Sequence, residues 1–306
     1  MNTIILLSIF LCLFFFRVPV CLSMGIASLV YILFLSDIPI QLIPQMMVHG
    51  VENFVLLAVP FFILAGNIMN IGGMTERIFR FALSLVGHMK GGLAQVVVVA
   101  SMIFGGISGS ALADCAGLGT VTVKAMTDSG YSRKFGAAVT LAAATMDPII
   151  PPSIMLVIYG VTANASIGRL FFGGIFPGLF MGFTLMVQIY WFVATQRRHC
   201  PSIEWKGIFN VAHVFKHSFL AILSPLIILF GMLGGVVTPT EAGGLAAMYC
   251  FVIGLVYREL KLKTIPRALV DTMKQTVVIM FIIATASVMS WIITKERIPA
   301  LLAQWF

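Results

Sequence analysis

Two carboxylates lie within stretches of this chain that are otherwise apolar. Asp114 ends the segment FGGISGSALAD (residues 104–114), and Asp147 begins the segment DPIIPPS (residues 147–153). An ionisable side chain inside a membrane span is costly, and it indicates a functional site by default. Asp114 has two open interpretations: a site carboxylate, or a residue that caps or orients the second limb of a helical hairpin. For Asp147, the position favours cation binding or a bond to freed backbone amides over exposure to lipid.

Small residues before Asp114 predict a turn of bare backbone. Gly105, Gly106 and Gly109, together with Ser108 and Ser110, form the tip of this turn. Small residues allow carbonyl and hydroxyl oxygens to face a cavity, which suits a hard cation such as sodium. The same residues also permit close helix packing, and this segment alone favours that structural interpretation.

The second segment predicts a helix broken inside the membrane. Its three prolines remove three amide donors within residues 148–152. The carbonyls around Thr145, Met146 and Ile149 are therefore expected to lack intrahelical partners. Unwound backbone inside a membrane is tolerated only where protein or a water-filled cavity covers it. The alternative interpretation is a kink between two packed helices.

A third carboxylate, Glu241, follows Thr238 in the segment GGVVTPTEAGG (residues 234–244). This spacing is typical of a capping box at a helix start, so a structural role is favoured. Thr238 and Glu241 remain secondary candidates for an ion or substrate site. No nucleophile–base pair, metal-ligand cluster or phosphate loop appears in the sequence, so we do not expect an enzyme or a cofactor.

Composition predicts a polytopic membrane protein. Of the 306 residues, 60% are hydrophobic and 10% are charged, whereas soluble domains carry roughly 25% charged residues. The formal net charge is +8, but the basic residues lie in short loops, where they determine membrane topology. We therefore expect contact with lipid and no binding of nucleic acid.

Charge-free windows predict the order of the membrane elements. The window 115–123 is too short to cross a membrane, so residues 91–123 are predicted to form a hairpin that turns near Gly105–Gly109. Basic residues flank this region on both sides, which predicts that it enters and leaves at the cytoplasmic face. Residues 135–161 are predicted to form the broken helix.

No linker divides the chain, so one membrane domain is predicted over residues 1–306. Within it, we expect N-terminal scaffold helices in 1–53, a first repeat in 54–196 and the start of a second repeat in 217–306. An inverted repeat would place a second hairpin near the last apolar residues, and the sequence ends before such a hairpin forms.

The chain resembles the large membrane subunit of tripartite ATP-independent periplasmic (TRAP) transporters, the DctM-type permease. Combined order and spacing make the resemblance specific over residues from about 55 to 250. It rests on these stretches: VPFFILAGNIMNIGG (59–73), LVGHMKGGLAQ (85–95), FGGISGSALADCAGLG (104–119), GY (130–131), DPIIPPSIMLVIYG (147–160), SIGRLFFGGIFPG (166–178) and GGVVTPTEAGGLAAMY (234–249).

The resemblance implies a sodium-coupled secondary importer in the bacterial inner membrane. Its fold would be all-α and polytopic, with inverted repeats, a re-entrant hairpin, a discontinuous helix and an elevator motion. A small four-helix membrane subunit (DctQ type) and a periplasmic substrate-binding protein (DctP type) would be its partners. The substrate would be an organic acid such as a C4-dicarboxylate, a sugar acid or sialic acid. The ion and substrate region would include Ser108, Gly109, Ser110, Thr145, Asp147, Pro151, Pro152 and Ser153.

Two features depart from the resemblance. Asp147 stands where a small residue is expected in many relatives, which indicates a subtype or altered substrate chemistry. The second hairpin is also missing, so we expect a C-terminally truncated second repeat. Two alternatives remain open: a stand-alone sodium/carboxylate carrier, and a non-transporting remnant or assembly partner.

Overall fold

The chain is built from helices. The computed structural model describes residues 2–109, 111–116, 118–196, 200, 202–205 and 207–303, and none of these residues lies in a strand. This confirms the predicted all-α class. The helices, numbered in chain order, are α1 (Asn2–Phe15), α2 (Val20–Phe34), α3 (Leu42–Val51), α4 (Ala58–Ile71), α5 (Met74–Val86), α6 (Gly92–Ser108), α7 (Ala111–Ala116), α8 (Leu118–Asp128), α9 (Arg133–Ala144), α10 (Ile154–Thr162), α11 (Ile167–Gln196), α12 (Ile208–Leu233), α13 (Pro239–Val256), α14 (Ile265–Lys295) and α15 (Ile298–Ala303).

Several helices have the length and apolarity of membrane spans. Among the described residues, five segments qualify, and α11, α12 and α14 are the longest helices in them. Large apolar side chains such as Phe176, Phe180 and Phe183 of α11 stay more than half exposed. Such an apolar outer surface suits lipid rather than water. The chain is therefore a multi-pass membrane protein.

The structure divides into two compact units. One contains residues 1–54 and 273–306, and the other contains residues 55–272. The predicted repeat boundaries are not tested by this division and stay predictions. In the first unit, Leu6 of α1, Tyr31 of α2 and Ile292 of α14 belong to one buried apolar cluster. Tyr31 also donates its hydroxyl to the carboxylate of Glu296.

In the second unit, α6 lies in the interior. Ala94, Val97 and Val98 are fully buried, and the cluster around them draws on α8, α9 and α11. A helix that is apolar on all sides is stable only when other helices surround it. The sequence of α6 therefore predicts the interior position that it occupies.

A polar cluster at the surface links α5 to the segment after α13. The guanidinium of Arg77 lies 2.8 Å from Oε1 of Glu259 and 3.7 Å from the ring centroid of Tyr257. The hydroxyl of Ser218 on α12 donates to the carbonyl oxygen of Arg77 at 3.0 Å. Three helical segments are thus joined around one arginine.

Candidate ion and substrate site

The hairpin tip lies at Gly109. Helix α6 ends at Ser108, and Gly109 follows in the left-handed conformation with φ of 56°. Its amide donates to the carbonyl oxygen of Gly105 at 2.9 Å. The turn therefore lies at the end of the predicted Gly105–Gly109 region, because Gly105 still belongs to the helix. Ser110 and the side chain of Ser108, both predicted site groups, lie outside the described residues.

The predicted helix break is present between α9 and α10. Helix α9 ends at Ala144 and α10 begins at Ile154, with residues 145–153 unwound between them. Pro151 and Pro152 are buried in this segment, and the peptide bond that joins them is cis. Ser153 caps α10, because its hydroxyl oxygen accepts from the amide of Leu156 at 3.4 Å.

The carbonyl oxygens of the break have different partners. The carbonyl oxygen of Met146 has no intrahelical partner, as predicted, but it accepts from the amides of Ile149 and Ile150 inside the break, each at 2.9 Å. The local turn that follows the end of α9 supplies these donors. Within the described part of the chain, no donor reaches the carbonyls of Thr145 and Ile149. The side chains of the segment are already engaged, since Thr145 donates to Ala142 at 2.7 Å and Ser153 donates to Pro148 at 2.6 Å.

The hairpin tip and the helix break pack directly against each other. A Cβ atom on Gly109 would lie 2.7 Å from the amide nitrogen of Ile154, 2.9 Å from Cα of Ser153 and 3.2 Å from the carbonyl oxygen of Pro152. A Cβ atom on Gly105 would lie 2.5 Å from Oδ1 of Asp147. Only glycine permits such close approach at these positions. The two irregular segments, some forty residues apart in sequence, therefore form one site.

Helix α11 closes another side of the break. A Cβ atom on Gly174 would lie 2.5 Å from the carbonyl oxygen of Ile149, and one on Gly178 would meet the side chain of Ile150 at 2.5 Å. The predicted site does not include these glycines. Their spacing, repeated at Gly182, is the small-xxx-small pattern that indicates close helix packing in membranes.

The two carboxylates lie side by side in the interior. Asp114 is 1% exposed and Asp147 is 0% exposed, and their side chains interact directly. Ser101 of α6 donates its hydroxyl to Oδ2 of Asp114 at 2.7 Å, a contact that the sequence does not predict. The two carboxyl groups also share a hydrogen bond with each other. Asp114 thus joins the two limbs of the hairpin and also faces Asp147.

The secondary candidates form a helix cap. Glu241 accepts from the amide of Thr238 at 2.7 Å and from its hydroxyl at 2.8 Å. The amide of Glu241 donates back to that hydroxyl oxygen at 3.4 Å. This is the predicted capping box at the start of α13. The geometry gives both residues a structural role and does not link them to the hairpin or the break.

A cavity of about 620 Å³ lies between α8 and α9. It continues the hairpin surface beyond Asp114, because Cys115 and Gly119 form part of its wall. Lys124 and Arg133 carry positive charge and Asp128 carries negative charge, so the cavity has a net positive charge. Its threonines supply hydroxyl groups, and the cavity therefore suits an organic anion. Its polar walls include Thr120, Lys124, Thr127, Asp128, Arg133 and Thr140.

A family model described as "Tripartite ATP-independent periplasmic transporter, DctM component" matches residues 7–306. The match covers every element of the site described above, from the hairpin to the capping box.

No group of three or more histidine, cysteine, aspartate or glutamate side chains is placed to hold a metal ion in the described ranges.

Three similar proteins illustrate the relationship. The sialic acid TRAP transporter large permease protein SiaM of Vibrio cholerae is 41% identical over 96% of this chain and 69% of its own length. The 2,3-diketo-L-gulonate TRAP transporter large permease protein YiaN of Escherichia coli is 38% identical over 93% of this chain and 67% of its own length. The C4-dicarboxylate TRAP transporter large permease protein DctM of Vibrio cholerae is 36% identical over 94% of this chain and 68% of its own length. The chain thus spans about two thirds of the length of these relatives.

Proposed function

We infer the function of this chain from its family, since it belongs to the DctM component of tripartite ATP-independent periplasmic transporters, the large TRAP permeases. We propose that it acts as the large membrane subunit of a sodium-coupled, binding-protein-dependent importer of an organic acid. The observation that carries this proposal is the packing of the Gly109 tip against the backbone of residues 152–154. Two unwound segments that meet inside a membrane protein are typical of a transporter's binding centre.

Sodium coupling is supported by the oxygen atoms that the site leaves without donors. The carbonyls of Thr145 and Ile149 lack partners in the described chain, and the carboxyl of Asp147 is fully buried beside that of Asp114. Hard cations bind such oxygens, and glycines at the tip let the backbone approach them. We propose that sodium binds in this region, together with the predicted residues Ser108, Gly109, Ser110, Pro151, Pro152 and Ser153.

The substrate class is supported by the relatives and by the cavity between α8 and α9. Sialic acid, 2,3-diketo-L-gulonate and C4-dicarboxylates, which name the similar transporters, are all organic acids. Lys124 and Arg133 place positive charge in the cavity wall. We propose that an organic acid of the C4-dicarboxylate, sugar acid or sialic acid class passes this surface on its way to the cytoplasm.

TRAP large permeases work with a small membrane subunit and a periplasmic binding protein. We propose the same partners for this chain, a four-helix DctQ-type subunit and a DctP-type binding protein, in the inner membrane of a bacterium. We also propose that transport follows an elevator motion, in which the hairpin and the broken helix move together because they are packed as one body. Family membership favours this proposal over the stand-alone carrier.

The test is uptake by the complete transporter reconstituted in liposomes. An inward sodium gradient is expected to drive accumulation of sialic acid, a C4-dicarboxylate or 2,3-diketo-L-gulonate, but only with the binding protein present. Choline in place of sodium is expected to abolish accumulation. Equal uptake in choline would refute sodium coupling, and no uptake of any organic acid would favour the non-transporting alternative.

A further inference from the structure

Unpaired cations lie where α12 begins and α13 ends. Tyr257, the residue after α13, donates its hydroxyl to the carbonyl oxygen of His217 on α12 at 3.4 Å. This contact brings Lys216 and Arg258, which neighbour the two residues in sequence, to one surface of the protein. Both cations are exposed, and neither forms an ion pair within the described part of the chain.

The connection between α13 and α14 adds two lysines to this surface. Lys261 and Lys263 are exposed, and they have no ion pair among the residues that the structure describes. The one carboxylate of this connection, Glu259, already binds Arg77 at 2.8 Å. The first turn of α14 contains no acidic side chain that would offset the partial positive charge of its amides. We call these free cations the basic patch: Lys216, Arg258, Lys261 and Lys263.

The basic patch lies at the edge of the membrane. It joins α13 to the candidate membrane span that begins at Leu262, and α13 is itself a candidate span. Leu262 lies between the two lysines and is 78% exposed, and Val256 at the end of α13 is 60% exposed. Cations and exposed apolar side chains at this level fit lipid headgroups and the acyl chains beneath them.

We propose that the basic patch binds the phosphate of an anionic phospholipid, such as phosphatidylglycerol, in the cytoplasmic leaflet. Connections rich in lysine and arginine lie on the cytoplasmic side of a membrane, where anionic lipids attract clustered cations. A zwitterionic lipid carries its own cation beside the phosphate, so it competes poorly for the patch. A free phosphate ion would use the cations but not the exposed Leu262.

The bound lipid would join α12 to the connection after α13. It would lie next to the contact between Arg77 and Glu259, which already links this connection to α5. The lipid site does not depend on the sodium coupling proposed above, because the basic patch is separate from the hairpin tip and the helix break.

The experiment measures the melting temperature of the purified protein in detergent micelles with added phosphatidylglycerol or phosphatidylcholine. At about ten times its dissociation constant, phosphatidylglycerol should raise the melting temperature of the wild type by about 3 °C. Each lysine near an anionic lipid surface strengthens binding about fivefold. The double variant Lys261→Gln with Lys263→Gln should therefore bind this lipid about 30-fold more weakly and gain less than about 1 °C. Phosphatidylcholine should leave both proteins unchanged.

The matched control removes two other exposed lysines, through Lys90→Gln with Lys134→Gln. It changes the net charge by the same amount and leaves the basic patch intact, so it should keep the full effect of phosphatidylglycerol. A second control, Lys261→Arg with Lys263→Arg, preserves the charges of the patch and should keep the effect as well.

Several results would overturn the proposal. Equal stabilisation by phosphatidylcholine would show that the acyl chains act without the headgroup, and equal stabilisation by sodium phosphate would show a site for a free anion. Loss of the effect in the Lys90→Gln control would show a response to net charge alone. A full effect in the Lys261→Gln double variant would show that the lipid binds elsewhere. If that variant fails to fold, Lys216→Gln with Arg258→Gln makes the same test, with the same expected loss.

Discussion

Replacing Gly109 with alanine tests the contact between the hairpin tip and the helix break. The residue has φ of 56°, a conformation that costs a non-glycine residue about 1–2 kcal/mol. The new methyl group would also lie 2.7 Å from the amide nitrogen of Ile154 and 2.9 Å from Cα of Ser153. Both atoms belong to the backbone, so relief requires a shift of the break, at about 1–3 kcal/mol. We expect a total loss of about 2–5 kcal/mol in unfolding free energy.

The matched control is Gly130→Ala. Gly130 also has positive φ, 91°, but a Cβ atom added there would meet no other atom within 4 Å. Its substitution should cost only the conformational part, about 1–2 kcal/mol. Thermal unfolding of both variants, measured at one scan rate in one detergent, should place Gly109→Ala several degrees below Gly130→Ala. Equal melting temperatures would refute the close packing of the two segments.

Three further substitutions test individual contacts. Thr238→Ala should cost about 1 kcal/mol in thermal unfolding, since it removes the cap of α13, and an unchanged melting temperature would contradict that role. Arg77→Met should cost about 1–2 kcal/mol in unfolding free energy. The amount is modest because the ion pair with Glu259 is partly exposed and screened by solvent. A double-mutant cycle with Glu259→Gln that shows no coupling energy would argue against the contact. Ser101→Ala should cost about 1–3 kcal/mol, because it leaves the buried Oδ2 of Asp114 without its donor. A neutral effect would mean that this hydrogen bond adds no stability.

Local chemistry explains which parts of the site could be predicted from the sequence. Proline-rich and glycine-rich segments break helices wherever they occur, so the unwound residues 145–153 and the capping box at Thr238 were predictable. The turn could be located only to within five residues, because Gly105 and Gly109 are equally permissive. The structure selects Gly109, since only that position lies against the backbone after Pro152.

Long-range contacts explain what could not be predicted. The spacing of the segments does not predict that Gly105 lies against Asp147, or that Ser101 donates to Asp114. These contacts depend on how α6 packs among α8, α9 and α11. The glycine stripe of α11 is visible in the sequence as Gly174, Gly178 and Gly182, but its partner, the helix break, could be identified only from the structure.

Direct binding of radioactive ²²Na⁺ to the purified protein tests the central claim, that the hairpin tip and the helix break together form a sodium site. We predict at least one specifically bound ion for each chain in the wild type and in Gly130→Ala, with at least tenfold weaker binding in Gly109→Ala. Binding of equal strength in Gly109→Ala and Gly130→Ala would contradict this claim, as would a wild type that binds no sodium.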